Sequence, residues 1–162
     1  MAAVDYFLKI DGIEGESGDH KNPKQIQLES WSWGETQSGS HSYGGGGGAG
    51  KVSMQDFHFV MKVNKASPKL MEHCASGQHI KEALLPCRKA GKEQQEFLKV
   101  KFSDLLVSSY QTGGSANGDV IPLDQIALNF TKIEFDYKEQ KPDGTLGGAV
   151  HGGWNLKENK VA

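Results

Sequence analysis

Two cysteines in 162 residues, Cys74 and Cys87, are too few for a disulfide framework, and nothing in their placement pairs them. A reducing compartment fits such a chain. No apolar run is long enough to cross a bilayer, and the opening MAAVDYFLKIDG lacks the basic and apolar regions of a secretory signal peptide. The chain is therefore expected to fold in the cytoplasm, and to need another route if it leaves the cell. An excess of one charge is also missing. Lys and Arg number 18 and Asp and Glu 20, leaving a net charge of −2. That balance offers no electrostatic footprint for nucleic acid or an anionic membrane surface. The local cluster Arg88, Lys89, Lys92 reads as a solvated turn.

The residue patterns of catalysis are equally scarce. The histidines, His20, His41, His58, His73, His79 and His151, form no pair with each other or with the cysteines at zinc-site spacing. There is no G-x-S-x-G elbow and no H-E-x-x-H helix, and the carboxylates are scattered singly. No catalytic residue, metal or cofactor is expected. Gly45, Gly50 and Lys51 match the outline of a phosphate-binding loop. Val52, however, stands where the magnesium-holding hydroxyl belongs, and the residues after it alternate like a strand where a helix is required. Five glycines in a row make the match nearly automatic.

What the chain has in quantity is glycine, 21 residues, and a hydrophobic period of two. Val4, Tyr6, Leu8 and Ile10 alternate with polar neighbours apart from Phe7. In four later stretches the alternation changes phase. Ile26 and Leu28 give way to Trp31 and Trp33; Val52 and Met54 to Phe57, Phe59, Met61 and Val63. Leu98, Val100 and Phe102 give way to Leu105 and Val107; Ile126, Leu128 and Phe130 to Ile133, Phe135 and Tyr137. A β-bulge swaps the buried face in this way and bends sheets into barrels. Passage of each strand from an inner core to an outer neighbour would do the same. The fold expected is mainly β, an antiparallel barrel of two packed sheets, with one short helix and an extended glycine-rich loop.

The helix is read over about 68–76, with Ser67 as N-cap, Pro68 in the first turn, Leu70, Met71 and Cys74 on one face, and Gly77 as the stop. In LLPCRKAG, Pro86 cannot donate to a ladder, so this strand belongs at an edge or a bulge. KPDGTLGG reads as a turn and GGWNLKEN as a last strand. The segment 34–51 is long for a loop, and a protruding hairpin or an arm packed on a partner would satisfy its backbone. Trp31 and Trp33 read as core anchors, with sugar stacking the alternative; Ser32 between them points the other way.

The stretches DYFLKIDGIEGES, SWSWGETQSGS, GGGGGAGKVSMQDF, SPKLMEHCASG, RKAG, VSSYQTGGS and DYKEQKPDGTLGG, in this order, give the chain a resemblance to the Hcp family, the tail-tube proteins of type VI secretion. The likeness covers the chain from about Val4 onward, so 1–162 is expected to be one tube domain. What the resemblance implies is a six-membered ring of copies, stacked head to tail into a hollow tube. A contractile sheath drives the tube out of the cell behind a spike protein. Small effector proteins are carried and protected in the lumen, and the tube itself is secreted, with no enzymatic activity, nucleic acid or membrane insertion. By the same resemblance Ser32 faces the lumen. Ser40, His41, Ser42, Tyr43, Gly44, Gly45, Gly46, Gly47, Gly48, Ala49, Gly50 and Lys51 then form an arm reaching a neighbouring subunit or ring. Pro86 and Cys87 stand where relatives usually carry strand formers, which again suggests an edge.

Overall fold

The computed structural model describes residues 4–39, 49–89, 95–118 and 120–162, with only the backbone of Gly39, Ala49 and Gly50. In chain order the elements are β1 (Val4–Ile10), β2 (Ile26–Leu28), β3 (Ser30–Ser32), β4 (Glu35–Gly39), β5 (Ala49–Met54), β6 (Phe57–Lys62), α1 (Ser67–Ser76), β7 (Ile80–Lys89), β8 (Glu96–Gly113), β9 (Leu123–Gln140), β10 (Leu146–Asn155) and β11 (Lys160–Val161). The architecture is mainly β with one short helix, as expected. Nine strands form one antiparallel sheet in the order β11-β10-β9-β8-β7-β1-β2, with β6 joining β9 to β3. Glu29 alone separates β2 from β3, and its N–H donates to the carbonyl of Val60 in β6 at 2.8 Å. The path β1, β2, β3, β6, β9, β8, β7 thus returns to its start, and the sheet curls around one core. β4 and β5 pair in a separate two-stranded sheet.

The core follows from the alternation. Phe57, Phe59, Phe102, Leu8, Ile26, Leu85, Ile126 and Leu128 are buried. Ring centroids of Phe57 and Phe102 lie 4.6 Å apart and those of Phe102 and Phe130 4.9 Å apart. Each such side chain contributes about 1.5–3 kcal/mol on leaving water.

The phase changes have more than one cause. Between β2 and β3 the chain changes partner, from β1 to β6. Between β5 and β6 it leaves the small sheet for the large one. In β8 and β9 the two changes lie opposite each other. Ser103 faces Lys132 and Leu105 faces Phe130 in unbroken register, so no residue is inserted there, and the bulge expected at this point is absent. Asp104 instead takes a left-handed conformation, φ 57°, and its carbonyl accepts from Thr131 Oγ1 at 2.9 Å. Aspartate tolerates this region better than most residues. One bend across both strands swaps both faces together. A register shift in β8 comes later, between Val107 and Ser109.

Three local expectations are corrected. Ser67 is not the N-cap: Ala66 takes that position with no side-chain cap, while the Ser67 hydroxyl donates to Asp124 Oδ2 at 2.6 Å. Tethering the helix to β9 outweighs capping it. Leu70 is buried and Gly77 ends the helix at φ 67°, but Met71 is 50% exposed. Pro86 is not at an edge. β7 lies between β1 and β8, where Pro86 faces Lys99, and pairing with β1 is interrupted between Tyr6–Cys87 and Lys9–Leu84. The missing donor falls in that interruption, and the register with β8 shifts just after, between Cys87 and Arg88. Finally, Arg88 is no solvated residue. It is 3% exposed, forked onto Asp19 at 3.1 and 2.9 Å and set over the Phe7 ring.

Candidate functional site

Alternation along β3, β6, β9 and the far half of β8 sends Trp31, Phe59, Ile126 and Tyr110 toward the core and their neighbours outward. Register then lines the outward side chains up in rows. Ser32 faces His58, His58 faces Ala127, and Ala127 faces Ser109. In the next row Ser30 faces Val60, Val60 faces Gln125, and Gln125 faces Gln111. These residues floor a shallow open depression. Ser30, Ser32, His58, Gln111 and Gln125 are exposed; Val60 and Ser109 are half-buried and Ala127 is buried. Neither row carries a carboxylate, lysine or arginine.

Charge begins at the margins of the face. At one end Asp56 accepts from Ser108 Oγ at 2.7 Å and from Asn129 Nδ2 at 2.9 Å. At the other, Lys62 meets Glu29 at 3.9 Å across solvent. The face between is small, hydrogen-bonding and neutral. Such a surface suits contact with varied protein surfaces rather than capture of an ion.

The hairpin β4–β5 stands off this face. Glu35 faces Met54, Thr36 faces Ser53 and Gln37 faces Val52, with a register shift before Gly39 faces Ala49. Gln55 N–H to Gly34 O, at 2.9 Å, closes its base. Trp33, Val52, Met54, Phe135 and Trp154 line a groove between the hairpin and β9–β10. Of the arm residues named from sequence, Ser40, His41, Ser42, Tyr43, Gly44, Gly45, Gly46, Gly47 and Gly48 lie outside the described residues. Ala49, Gly50 and Lys51 open β5. The glycine run therefore leads into a strand, where a phosphate loop requires the N-terminus of a helix.

Ser32 is exposed, as the sequence places it, and the tryptophans beside it are engaged elsewhere. Trp31 packs edge-on against Tyr6 at 5.9 Å and beside Phe57 at 6.0 Å. Trp33 packs on Phe135 and Phe130 at 5.8 and 6.3 Å. Both rings pack against the core while staying partly exposed, and Trp33 also lines the groove beside the hairpin. The sequence reading missed Ser32's companions, His58, Gln125, Ser109 and Gln111. Their signal is position alone: His58 sits between Phe57 and Phe59, and Gln125 precedes Ile126. Among the described residues no three His, Cys, Asp or Glu side chains gather as a metal site would require. Burial pushes the Cys87 thiol up to about 12, with Glu96 adding to the effect, which makes it inert as a nucleophile.

A curled antiparallel sheet with a bare outward face and a separately paired hairpin offers surface for contact with other proteins. Comparison with known proteins agrees. The family model described as type VI secretion system effector, Hcp, matches residues 7–137. Protein hcp1 of Pseudomonas aeruginosa is 49% identical over 162 residues, covering 99% of both chains. Among solved structures, Hcp1 from Salmonella typhimurium is 37% identical with a TM-score of 0.84, covering 99% of this chain and 100% of that one. A type VI secretion system effector from Yersinia pestis is 34% identical with a TM-score of 0.76, covering 93% of this chain and 99% of that one. The chain belongs to the Hcp family of type VI secretion proteins.

Proposed function

We propose that this chain is a tube subunit. Copies join head to tail into a ring of six, the number the family resemblance implies, with the Ser32 face turned to the lumen. Rings stack into a tube, which carries small effector proteins and is itself exported behind a spike and within a contractile sheath. The observation that carries this reading is a neutral face whose sheet ends in two open edges. Among the described residues β3 pairs only with β6, and β8 from Leu106 to Gly113 pairs only with β9. The two edges flank the face on opposite sides. Unpaired strand edges are a liability unless something covers them. Setting the β3 side of one copy beside the β8 side of the next covers both with a single heterologous contact, and such a contact repeated through a rotation closes a ring. The segment from Ser40 to Lys51, which follows β4 in sequence and runs into β5, is the arm to the neighbouring subunit or ring. Its glycines suit close backbone approach.

Light scattering after size exclusion tests the ring: a species near six times 17.6 kDa supports it, and a monomer overturns it. Ser32→Gln tests the lumen. Ser32 is exposed on the outward face, so the longer side chain leaves the core untouched and intrudes only on what occupies the face. Rings of unchanged mass that no longer retain a co-expressed effector are expected. Loss of the ring in that variant would move Ser32 from the lumen to an interface.

A further inference from the structure

β11 is two residues long, both exposed, and Val161 keeps 73% of its surface in water. Burial therefore does little to hold it. Its backbone lies on the edge of β10, where Trp154 faces Val161, Asn155 faces Lys160, and Ala162 N–H donates to Gly153 O at 3.1 Å. Gly153 permits this approach, since a Cβ there would stand 2.9 Å from the Ala162 oxygen. One side chain reaches across to the same oxygen. His151, in β10, has Nδ1 2.8 Å from Asp136 Oδ1 and Nε2 3.0 Å from Ala162 O.

Both partners of this imidazole are acceptors. A neutral imidazole carries one N–H, so it can satisfy one of them and turns a lone pair toward the other. Only the imidazolium, with two donors, makes both bonds. We propose that His151 is a proton-operated latch: protonated, it clamps the C-terminal strand β11 to β9 through Asp136, and neutral, it lets that strand leave the edge of β10.

The charges around the latch favour its closed form. On β9, Asp136 is the direct cross-strand neighbour, Glu134 lies two residues before it with Lys132 4.0 Å away, and Lys138 lies two residues beyond. β10 itself brings no other titratable group. Lys157 and Glu158 stand in the connecting turn, and Lys160 of β11 is paired with Glu158. The Asp136 hydrogen bond, then the Ala162 oxygen, raise His151 above the ordinary histidine value of 6.5. For a group raised in the folded state the stabilisation is present at acid pH and lost as pH rises through the folded value. The latch is therefore closed in acid solution and opens as the pH rises through the raised folded value of His151. Opening lengthens the free edge of β10 down to Asn155. That edge bears four glycines, the exposed Val150 and no lysine or proline, so it is poorly protected against strand pairing.

Hydrogen exchange read by mass spectrometry on the full chain, in whatever assembly it forms, tests this between about pH 5.5 and 9 around the ordinary imidazole range. Backbone exchange in the peptide 154–162, divided by the intrinsic rate at each pH, reports the strand; exchange at the imidazole C2 position of His151 reports its protonation. Protection of the strand should fall about fivefold to tenfold, the worth of one hydrogen bond at a solvent-exposed site, with the midpoint of the His151 titration. In His151→Gln, whose amide offers one donor nitrogen and one acceptor oxygen at every pH, the fall should vanish. Protection independent of pH in the wild type overturns the latch, and so does a midpoint that survives in His151→Gln or tracks a different histidine. Should the variant fail to fold, the match or mismatch of the two wild-type midpoints decides the question alone.

Discussion

Asp19→Ala is expected to destabilise the fold far more than a surface carboxylate would. Both Asp19 oxygens are engaged. Oδ1 accepts from Arg88 Nη1 at 3.1 Å and from the backbone N–H groups of Lys21 and Asn22 at 2.9 and 3.0 Å; Oδ2 accepts from Arg88 Nη2 at 2.9 Å. The guanidinium side chain is 3% exposed and the Asp19 side chain 21%. Two charge-assisted bonds at about 1.5 kcal/mol each, discounted for the solvent reaching Asp19, give a loss of roughly 2–3 kcal/mol. For a domain of this size that is about 5–10 °C in Tm, read at fixed protein concentration because assembly also shifts Tm. Asp19→Asn keeps an acceptor for the turn and loses the charge, so it should fall between. A double-mutant cycle with Arg88→Met isolates the pair. The Arg88 hydrogen bond holds the Asp19 carboxyl below its ordinary 3.8. Its stabilisation is thus full above pH 3.8 and disappears as pH falls through the lower folded value. Wild type and Asp19→Asn should converge in strong acid. A coupling energy below about 0.5 kcal/mol, the level of an exposed pair, would refute the reasoning.

Two further outcomes rest on single contacts. Gly153→Val places a Cβ 2.9 Å from the Ala162 oxygen and 3.1 Å from the Ile133 carbonyl, so β11 should detach at a cost of about 1–3 kcal/mol, seen as faster exchange of the C-terminal amides. With Ellman's reagent at about pH 8, near the ordinary thiol range, the folded chain should show at most one reactive thiol, the partly exposed Cys74, and a second only on unfolding, because Cys87 is buried with its thiol pushed up to about 12. Two fast thiols, or one that persists in Cys74→Ser, would contradict the placement of Cys87.

The fold class was legible because a half-buried strand writes its alternation directly into sequence, and the four phase changes marked real events. Their causes were not legible. A change of partner at Glu29 and a shared bend at Asp104 and Thr131 leave the same trace as an inserted residue, and only the register separates them. β11 escaped because two residues have no period. Arg88 was misread because its neighbours in sequence are basic and its partner is 69 residues away. Pro86 misled for a related reason: a central strand can hold a proline where its pairing on one side is already interrupted. At the candidate site, Ser32 stood out between two tryptophans. His58, Gln125 and Ser109 become a site only when register sets them beside it, since each alone is an ordinary outward residue of an amphipathic strand.

The neutrality of that face bears on assembly as well as on cargo. In the proposed ring every copy turns the same surface toward one axis, so a charge on one is repeated on all, and like charges facing one another are not relieved by pairing. Serine, glutamine and alanine escape this cost, which one substitution can restore. His58→Asp adds a carboxylate at the centre of the Ser32 row, exposed and outside the core, so the subunit itself should fold as before. The variant's rings should be weakened at low ionic strength, where the screening length is about 30 Å at 0.01 M, and recover near 1 M, where it is about 3 Å. His58→Gln, of similar size and uncharged, should assemble normally at both. Native mass measured across a salt series distinguishes the cases. If His58→Asp and His58→Gln form equally stable rings at low salt, the face does not converge on an axis, and the two open strand edges must be covered by some other arrangement of copies.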